Sequence, residues 1–347
     1  MVLLETNRSI GGSISQMIVF QRLIRVFVFT AMCFAASACA PVRYPANLPA
    51  GSPRLEASFF VTADGTQLPY RAWLPDKRIE AVVVAIHGMN DHSRAFVEPA
   101  RAWRQRGIAT YAYDQRGFGG APHRGMWPGA KSLIQDLKVF VRLIKARHSG
   151  APVYLLGSSM GGGVVLASLG ESDAPRVEGA ILLAPAVWAR EIMPPENRIA
   201  LWIAAHVAPG IQLTSDQIRR IPTDNRAALI QMSRDPRIIK YVRVDSLYGV
   251  TDLMDLALAA APRVRVPILM LYGAKDQIIP LKPIMTAKNR LPAKLQRFAI
   301  YPEGWHMLLR DKQAATVYRD IIAWIGDRSR PLPSGAERVS AAEAVRQ

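Results

Sequence analysis

The chain has 347 residues with 50% hydrophobic and 20% charged positions, a globular composition that excludes low-complexity disorder for most of its length. Lys and Arg number 44 against 27 Asp and Glu, a formal net charge of +17, and such a field favours anionic partners such as nucleic acid or acidic lipid. The cations are scattered, and with neither zinc-finger spacing nor an aromatic-plus-basic stripe, nucleic acid is not expected as a partner.

At the N-terminus Arg22 and Arg25 precede an uncharged apolar run over 26–36, and small residues follow at Ala36-Ser37-Ala38-Cys39. A basic region, an apolar region and a small-residue cleavage site in that order predict a secretory signal peptide over 1–38. The uncharged stretch from Val26 to Val42 is short for a bilayer core of roughly 30 Å, which disfavours a transmembrane anchor. Met17 is a second candidate start. The chain's two cysteines, Cys33 and Cys39, both lie in this leader, so the body holds no structural disulfide. Ala36-Ser37-Ala38-Cys39 resembles the lipobox of bacterial lipoproteins. The resemblance implies cleavage before Cys39, acylation of that residue, attachment to a membrane surface, and a cell-envelope location at the outer membrane, facing the periplasm. Pro41, Pro45, Pro49 and Pro53 then predict an extended Pro-rich tether over 39–53.

The body, 54–326, alternates strands and helices. Strands over 54–61 and 68–74 read as a hairpin, with Asp64-Gly65 as the turn. Ala81-Val82-Val83-Val84-Ala85-Ile86 is a continuous apolar run that suits a strand buried on both faces of a parallel sheet. A helix over 93–106, a strand over 108–113 and an amphipathic helix over 131–147 follow, the last with Leu133, Leu137, Phe140, Val141 and Ile144 at helical spacing. Strands at 153–156 and 180–183 flank a helix near 160–170. A strand at 268–272, another at 297–301 and a helix near 313–325 close the domain. This alternation predicts an α/β fold with a mostly parallel, doubly wound sheet. Between 185 and 262 the pattern gives way to a Pro-punctuated, helical stretch, read as a cap inserted over the carboxyl edge of the sheet. The polar tail over 327–347 is expected to be disordered.

Gly157-Ser158-Ser159-Met160-Gly161 is a G-x-S-x-G pentapeptide placed directly after one predicted strand and directly before a helix. That is the context of a nucleophile elbow, a sharp turn that presents a serine hydroxyl. A serine needs a base, and the base needs a carboxylate to orient it. In this architecture the order is Ser, acid, His, so only His206 and His306 are eligible bases. His206 lies in the cap, a poor place for a rigid base, and His306 in Glu303-Gly304-Trp305-His306 is the candidate. Of the others, His87 is read as a structural residue in a tight turn and His148 as a solvated helix-end residue. Asp276 is the candidate acid, because it follows a strand and a Gly turn in Tyr272-Gly273-Ala274-Lys275-Asp276; Asp252 and Asp255 read as cap-helix surface. An oxyanion needs two preset donors, assigned to the backbone N–H groups of Met160, after the nucleophile, and Met89, in His87-Gly88-Met89-Asn90. No clustered ligand spacing points to a metal, and no organic cofactor is expected.

His87-Gly88-Met89-Asn90-Asp91-His92-Ser93, Asp114-Gln115-Arg116-Gly117-Phe118-Gly119, the pentapeptide, Tyr272 to Asp276, and Gly304-Trp305-His306 occur in that order over roughly 55–325. Together they resemble the monoacylglycerol lipase and lysophospholipase group of α/β-hydrolases, with a serine aminopeptidase S33-type domain. The resemblance implies a Ser-Asp-His esterase with a helical cap guarding an acyl pocket. Substrate does not carry over with it; the expected membrane attachment and the positive mature body favour an acyl-ester lipid, lysophospholipid or monoacylglycerol. Asn90 and Asp91 depart from the Gly-Glu usual after the oxyanion residue. A small-ester carboxylesterase is the alternative enzyme, and a non-catalytic envelope lipoprotein the alternative of a different class. The sequence does not specify an oligomeric state.

Overall fold

The computed structural model describes residue 19 and residues 21–26, 41–214 and 220–339. Cys33, Cys39 and most of the predicted signal peptide lie outside the described residues. Eleven strands are described: β1 (Arg54–Leu55), β2 (Phe59–Val61), β3 (Gln67–Trp73), β4 (Ala81–Ile86), β5 (Ile108–Tyr113), β6 (Val153–Ser158), β7 (Gly179–Leu183), β8 (Gln212–Thr214), β9 (Tyr241–Arg243), β10 (Ile268–Gly273) and β11 (Gln296–Tyr301). Among the described residues of the body the α-helices are α1 (Val97–Arg104), α2 (Ala130–Arg147), α3 (Met160–Leu169), α4 (Pro195–Val207), α5 (Arg226–Arg234), α6 (Val244–Ala260), α7 (Leu281–Arg290) and α8 (Ala314–Gly326).

Nine strands form one sheet in the order β1-β2-β3-β5-β4-β6-β7-β10-β11. β1, β2 and β3 run antiparallel to their neighbours, and from β5 to β11 every pairing is parallel. The apolar run of β4 is buried throughout, and its residues alternate between two cores. Val82, Val84 and Ile86 join one face, and Ala81, Val83 and Ala85 the other. A period-2 strand with helices on both sides has no polar face to show, which is why its sequence reads as unbroken Val and Ala. The chain leaves β4 toward β5 on one side and returns as β6 on the other. The carboxyl ends of β4 and β6 therefore flank a topological switch point, the usual place for a ligand crevice in such sheets.

Arg116 fastens the antiparallel edge to this core. Its guanidinium donates to Asp136 on α2 at 2.6 Å and to both Asp64 carboxylate oxygens, at 2.8 and 2.9 Å, with Thr62 and Thr66 hydroxyls completing the set. Both carboxylates are nearly fully buried. Removing one partner of such a network leaves an uncompensated buried charge, typically at a cost of about 3–5 kcal/mol.

Three boundaries differ from the sequence reading. The predicted tether lies on the body rather than away from it. Tyr44 N–H donates to Trp127 O at 2.9 Å and its ring stacks on His123 at 4.6 Å, while the N–H groups of Ala50 and Gly51 both reach Ala63 O. The cap is shorter than 185–262. α6 closes on α3 so tightly that a Cβ on Gly170 would stand 2.5 Å from Ala260 Cβ, and Val250, Leu253, Ala257 and Leu258 are buried in the sheet core. The inserted excursion therefore ends at β9, and α6 covers the sheet. The tail expected to be disordered is packed as far as 339. Leu332 and Ala336 are buried, and Glu337 forms a bidentate ion pair with Arg297 of β11, so the segment covers an otherwise open sheet edge. Residues 340–347 lie outside the described set.

Candidate active site

Ser159 sits between β6 and α3 at φ 52° and ψ −118°, in the left-handed region that a residue with a Cβ adopts only when its surroundings impose it. Ser159 N–H donates to Leu183 O on β7 at 2.9 Å, and its carbonyl accepts from Gly163 at 3.1 Å and Ala186 at 2.9 Å. The flanking glycines make the turn sterically feasible. A Cβ on Gly161 would lie 2.1 Å from Ile86 O and 2.7 Å from His87 O, and one on Gly157 would lie 2.5 Å from Gly161 O. The elbow is thus pressed against the end of β4. Met160 opens α3, so its N–H lies in the first turn, where no intrahelical acceptor exists.

Asp276 is held after β10 with both oxygens engaged. Oδ1 accepts the N–H groups of Ile278 at 2.7 Å and Ile279 at 3.0 Å, and Oδ2 lies 2.8 Å from His306 Nδ1. The Asp276 side chain is fully buried. An N–H at Nδ1 directed at that carboxylate leaves the lone pair on Nε2. His306 and Ser159 line one cavity of about 190 Å³ together with Gly88, Met89, Phe96, Pro222, Ile278, Met307 and Leu309. The structure therefore brings Ser159, Asp276, His306, Met89 and Met160 to one end of the sheet. Gly88 faces the hydroxyl directly: a Cβ there would stand 3.3 Å from Ser159 Cβ.

The remaining histidines have other partners. His87 is fully buried. Its Nε2 accepts the Gln115 N–H at 2.9 Å, so its Nδ1 carries the proton and donates to Gly88 O at 2.8 Å. Burial pushes its pKa down and keeps this ring neutral. His148, read as solvated, bonds through Nε2 to the Tyr111 hydroxyl at 2.8 Å. His206 stacks on Trp202 in the cap.

Sequence reasoning missed the ties that hold the loops of the site together. Asn90, at φ 64°, donates to Tyr241 O on β9 and accepts from Ile239 N–H, which fixes the loop after β4 to the cap. Asp91 forms a bidentate pair with Arg310, four residues beyond His306, at 2.9 and 3.1 Å. His92 Nε2 lies 3.1 Å from Asp235, also in the cap. The departure from Gly-Glu at 90 and 91 is thus absorbed by a left-handed Asn and a carboxylate with a dedicated partner.

A second set of ties holds the loop that carries His306. Asp311 is buried, accepts the Trp305 N–H at 2.7 Å and accepts the Thr223 hydroxyl at 2.6 Å. Met307 N–H reaches Pro222 O at 2.9 Å, and Asn225 donates to Arg310 O at 2.9 Å. The cap segment 222–225 is therefore a strut for His306. Burial pushes the Asp311 carboxyl up from 3.8 to about 6. The native state keeps that proton up to about pH 6 while the unfolded chain releases it near 3.8, so this group's stability contribution falls as pH rises across that window. In Thr223→Val the ionised carboxylate loses a donor, which should cost about 1–3 kcal/mol. Thermal melts should show a larger loss at pH 7.5 than at pH 5, where Asp311 is protonated; equal losses would assign the effect to packing.

The profile of the serine aminopeptidase, S33 family matches residues 77–313. The chain is similar to the monoacylglycerol lipase of Mycolicibacterium smegmatis, 27% identical over 289 residues that cover 79% of this chain and 98% of the relative. It is similar to the monoglyceride lipase of Homo sapiens, 25% identical over 300 residues, 82% of this chain and 95% of the relative. Among solved structures, a soluble variant of monoglyceride lipase from Saccharomyces cerevisiae in complex with a substrate analogue superposes with a TM-score of 0.65. It is 21% identical and covers 84% of this chain and all of that one, a likeness of fold. The mostly parallel sheet, its switch point and the length of the matched region lead to one conclusion: this chain is an α/β-hydrolase of the serine aminopeptidase, S33 family, an enzyme that hydrolyses esters.

Proposed function

We propose that this enzyme hydrolyses monoacylglycerols or lysophospholipids through an acyl-enzyme on Ser159. The observation that carries the reading is the His306–Asp276 contact at 2.8 Å, with His306 lining the cavity that also holds Ser159. Ser159 Oγ attacks the ester carbonyl while His306 Nε2 takes its proton. Asp276 fixes the imidazole tautomer and stabilises the imidazolium. The N–H groups of Met89 and Met160 receive the oxyanion, a contribution of about 3–4 kcal/mol per donor in comparable sites. His306 then protonates the leaving alcohol, and a water activated by the same ring attacks the acyl carbonyl and frees the fatty acid. The apolar walls at Met89, Phe96, Ile278 and Leu309 suit an acyl chain, and the relatives named as monoacylglycerol lipases support that substrate class.

The small volume favours a second reading, a short-ester carboxylesterase. At about 190 Å³ the cavity lies below the roughly 300–1,000 Å³ of small-molecule pockets, so a long acyl chain requires the cap to open. p-Nitrophenyl esters of graded length decide the matter. Rising kcat/KM from acetyl to long acyl groups supports the lipid reading, and an optimum at acetyl or butyryl supports the other. A fluorophosphonate probe should label Ser159; an unlabelled serine in folded protein would leave a non-catalytic binding lipoprotein.

We also propose that residues 1–38 are removed as a signal peptide and that Cys39 is acylated, holding the enzyme at the outer membrane and facing the periplasm. The support is the order of basic, apolar and small residues ending at Cys39, together with a body rich in Arg. Among the described residues no helix is long and apolar enough to cross a membrane.

A further inference from the structure

The cap helix α4 turns its apolar stripe outward. Ile199, Trp202, Ile203 and Val207 follow helical spacing at i, i+3, i+4 and i+8, and they are 56%, 54%, 48% and 67% exposed. Of this helix only Ala205 is buried. Ile211, just beyond it, is 54% exposed. Apolar patches of this kind on a folded enzyme mark an interaction surface.

The segment after Cys39 is tied to α6, the helix on which α4 packs. Arg43 pairs with Asp252 on α6 at 2.9 Å, and the other oxygen of Asp252 takes Arg190 at 2.8 Å. The Arg190 guanidinium lies 4.6 Å over the Tyr248 ring, one helical turn from Asp252. Tyr248 meets the edge of His206 at 5.4 Å, and His206 stacks on Trp202 at 4.4 Å. Side chains in unbroken contact thus join Arg43 to the exposed Trp202. Beyond Arg43 the chain is tied down again by Tyr44 on His123, Ala46 N–H on Ser132 Oγ and Asn47 N–H on Asp64. Only three residues separate Cys39 from Arg43, which keeps the two Cα atoms within about 14 Å of one another.

We propose that residues 41–51 form a strap that fixes the acylated N-terminus next to the apolar face of α4, so that the bilayer holding the anchor also covers Ile199, Trp202, Ile203 and Val207. The inference rests on acylation of Cys39, as proposed above. A chain held by a free tether can turn any face to the membrane, whereas a chain strapped within about 14 Å of its anchor presents one. The occupant is an anionic lipid surface, matched by residues 39–347, whose 41 Lys and Arg stand against 26 Asp and Glu, and by the exposed Arg198 on the same helix. Docking there places α4, the cap element that lacks the ties of 222–225, against the phase that contains the substrate.

The test uses the full mature protein, isolated in acylated form and bound to vesicles of phosphatidylethanolamine and phosphatidylglycerol in equal parts. With Cys33 removed with the leader and Cys39 acylated, an introduced cysteine is the one free thiol. Ile203→Cys and, at the opposite end of the sheet, Ser172→Cys carry an environment-sensitive fluorophore. The expected result is that bromolipids quench the 203 probe to less than half its emission and leave the 172 probe unchanged. Arg43→Ala/Tyr44→Ala, which frees the strap as far as Ala46, should reduce quenching at 203 at least twofold without loss of soluble-ester turnover. Equal quenching with and without these changes overturns the strap. An unquenched 203 probe on acylated, vesicle-bound protein overturns the docking while leaving the anchor intact, and a disulfide-linked dimer formed by unlabelled Ile203→Cys protein under a mild oxidant assigns the face to a second copy instead. An unmodified Cys39 in the mass spectrum removes the anchor and the inference with it, whereas loss of ester turnover alone tests the catalytic reading.

Discussion

Ser159→Ala should lower kcat on every ester by about a million-fold, the loss seen when the nucleophile of an intact serine triad is removed, while KM changes little. The reason is chemical rather than structural. The methyl group fits the space of the hydroxymethyl, and the hydrogen bonds that hold the elbow run through the main chain of residue 159, to Leu183, Gly163 and Ala186. The variant therefore keeps its fold, its cavity and its oxyanion donors, and loses the one oxygen that forms the acyl bond. What remains is the modest acceleration that oxyanion donors and binding supply on their own, typically about 10³–10⁴ over water. Stopped-flow measurement of p-nitrophenol release would show no burst. A variant that retained turnover near that of the parent would remove Ser159 from the mechanism.

Asp276→Asn should lower kcat by about 10⁴-fold, because the substitution forces the wrong tautomer on His306. The direction of the amide is decided by its surroundings. The N–H groups of Ile278 and Ile279 both point at Oδ1, so that position must remain an acceptor and takes the Asn carbonyl. The amide NH2 then occupies the place of Oδ2, 2.8 Å from His306 Nδ1, and donates to it. His306 responds by carrying its proton on Nε2, where it can no longer accept one from Ser159. Melting temperature should change little, since the N–H groups of Ile278 and Ile279 keep their acceptor. A variant with more than a tenth of the parent kcat would mean that Asp276 does not orient the base.

The parts of the fold that were legible in the sequence are those governed by local periodicity. The run from Ala81 to Ile86 is apolar at every position because both faces of β4 are covered, and α2 announces itself through Leu133, Leu137, Phe140 and Ile144. The elbow was legible because its glycines are demanded by atoms close in sequence. The ties that set the loops were not. Asp91 and Arg310 are 219 positions apart, and Thr223 and Asp311 are 88 apart, so no spacing rule connects them. The cap boundary was missed because α6 carries buried Leu253 and Leu258 in the same Ala- and Leu-rich idiom as a lid helix, and its partner, the small-residue face of α3, shows itself only in three dimensions. The tail was misjudged for a similar reason. Its order comes from Arg297 and Asp320, which receive it from elsewhere in the chain.

The contact of Gly161 with the end of β4 has a consequence for how this enzyme can change. Its hydrogen stands where a methyl would collide with Ile86 O, so the turn that presents the hydroxyl and the loop that presents Met89 are seated on one another like two teeth of a closed gear. Neither can be retuned without displacing a strand that is buried from end to end. Variation that alters which acid or alcohol is accepted is accordingly left to the side chains around that seat, Phe96, Pro222, Ile278, Met307 and Leu309, which wall the cavity without carrying the turn.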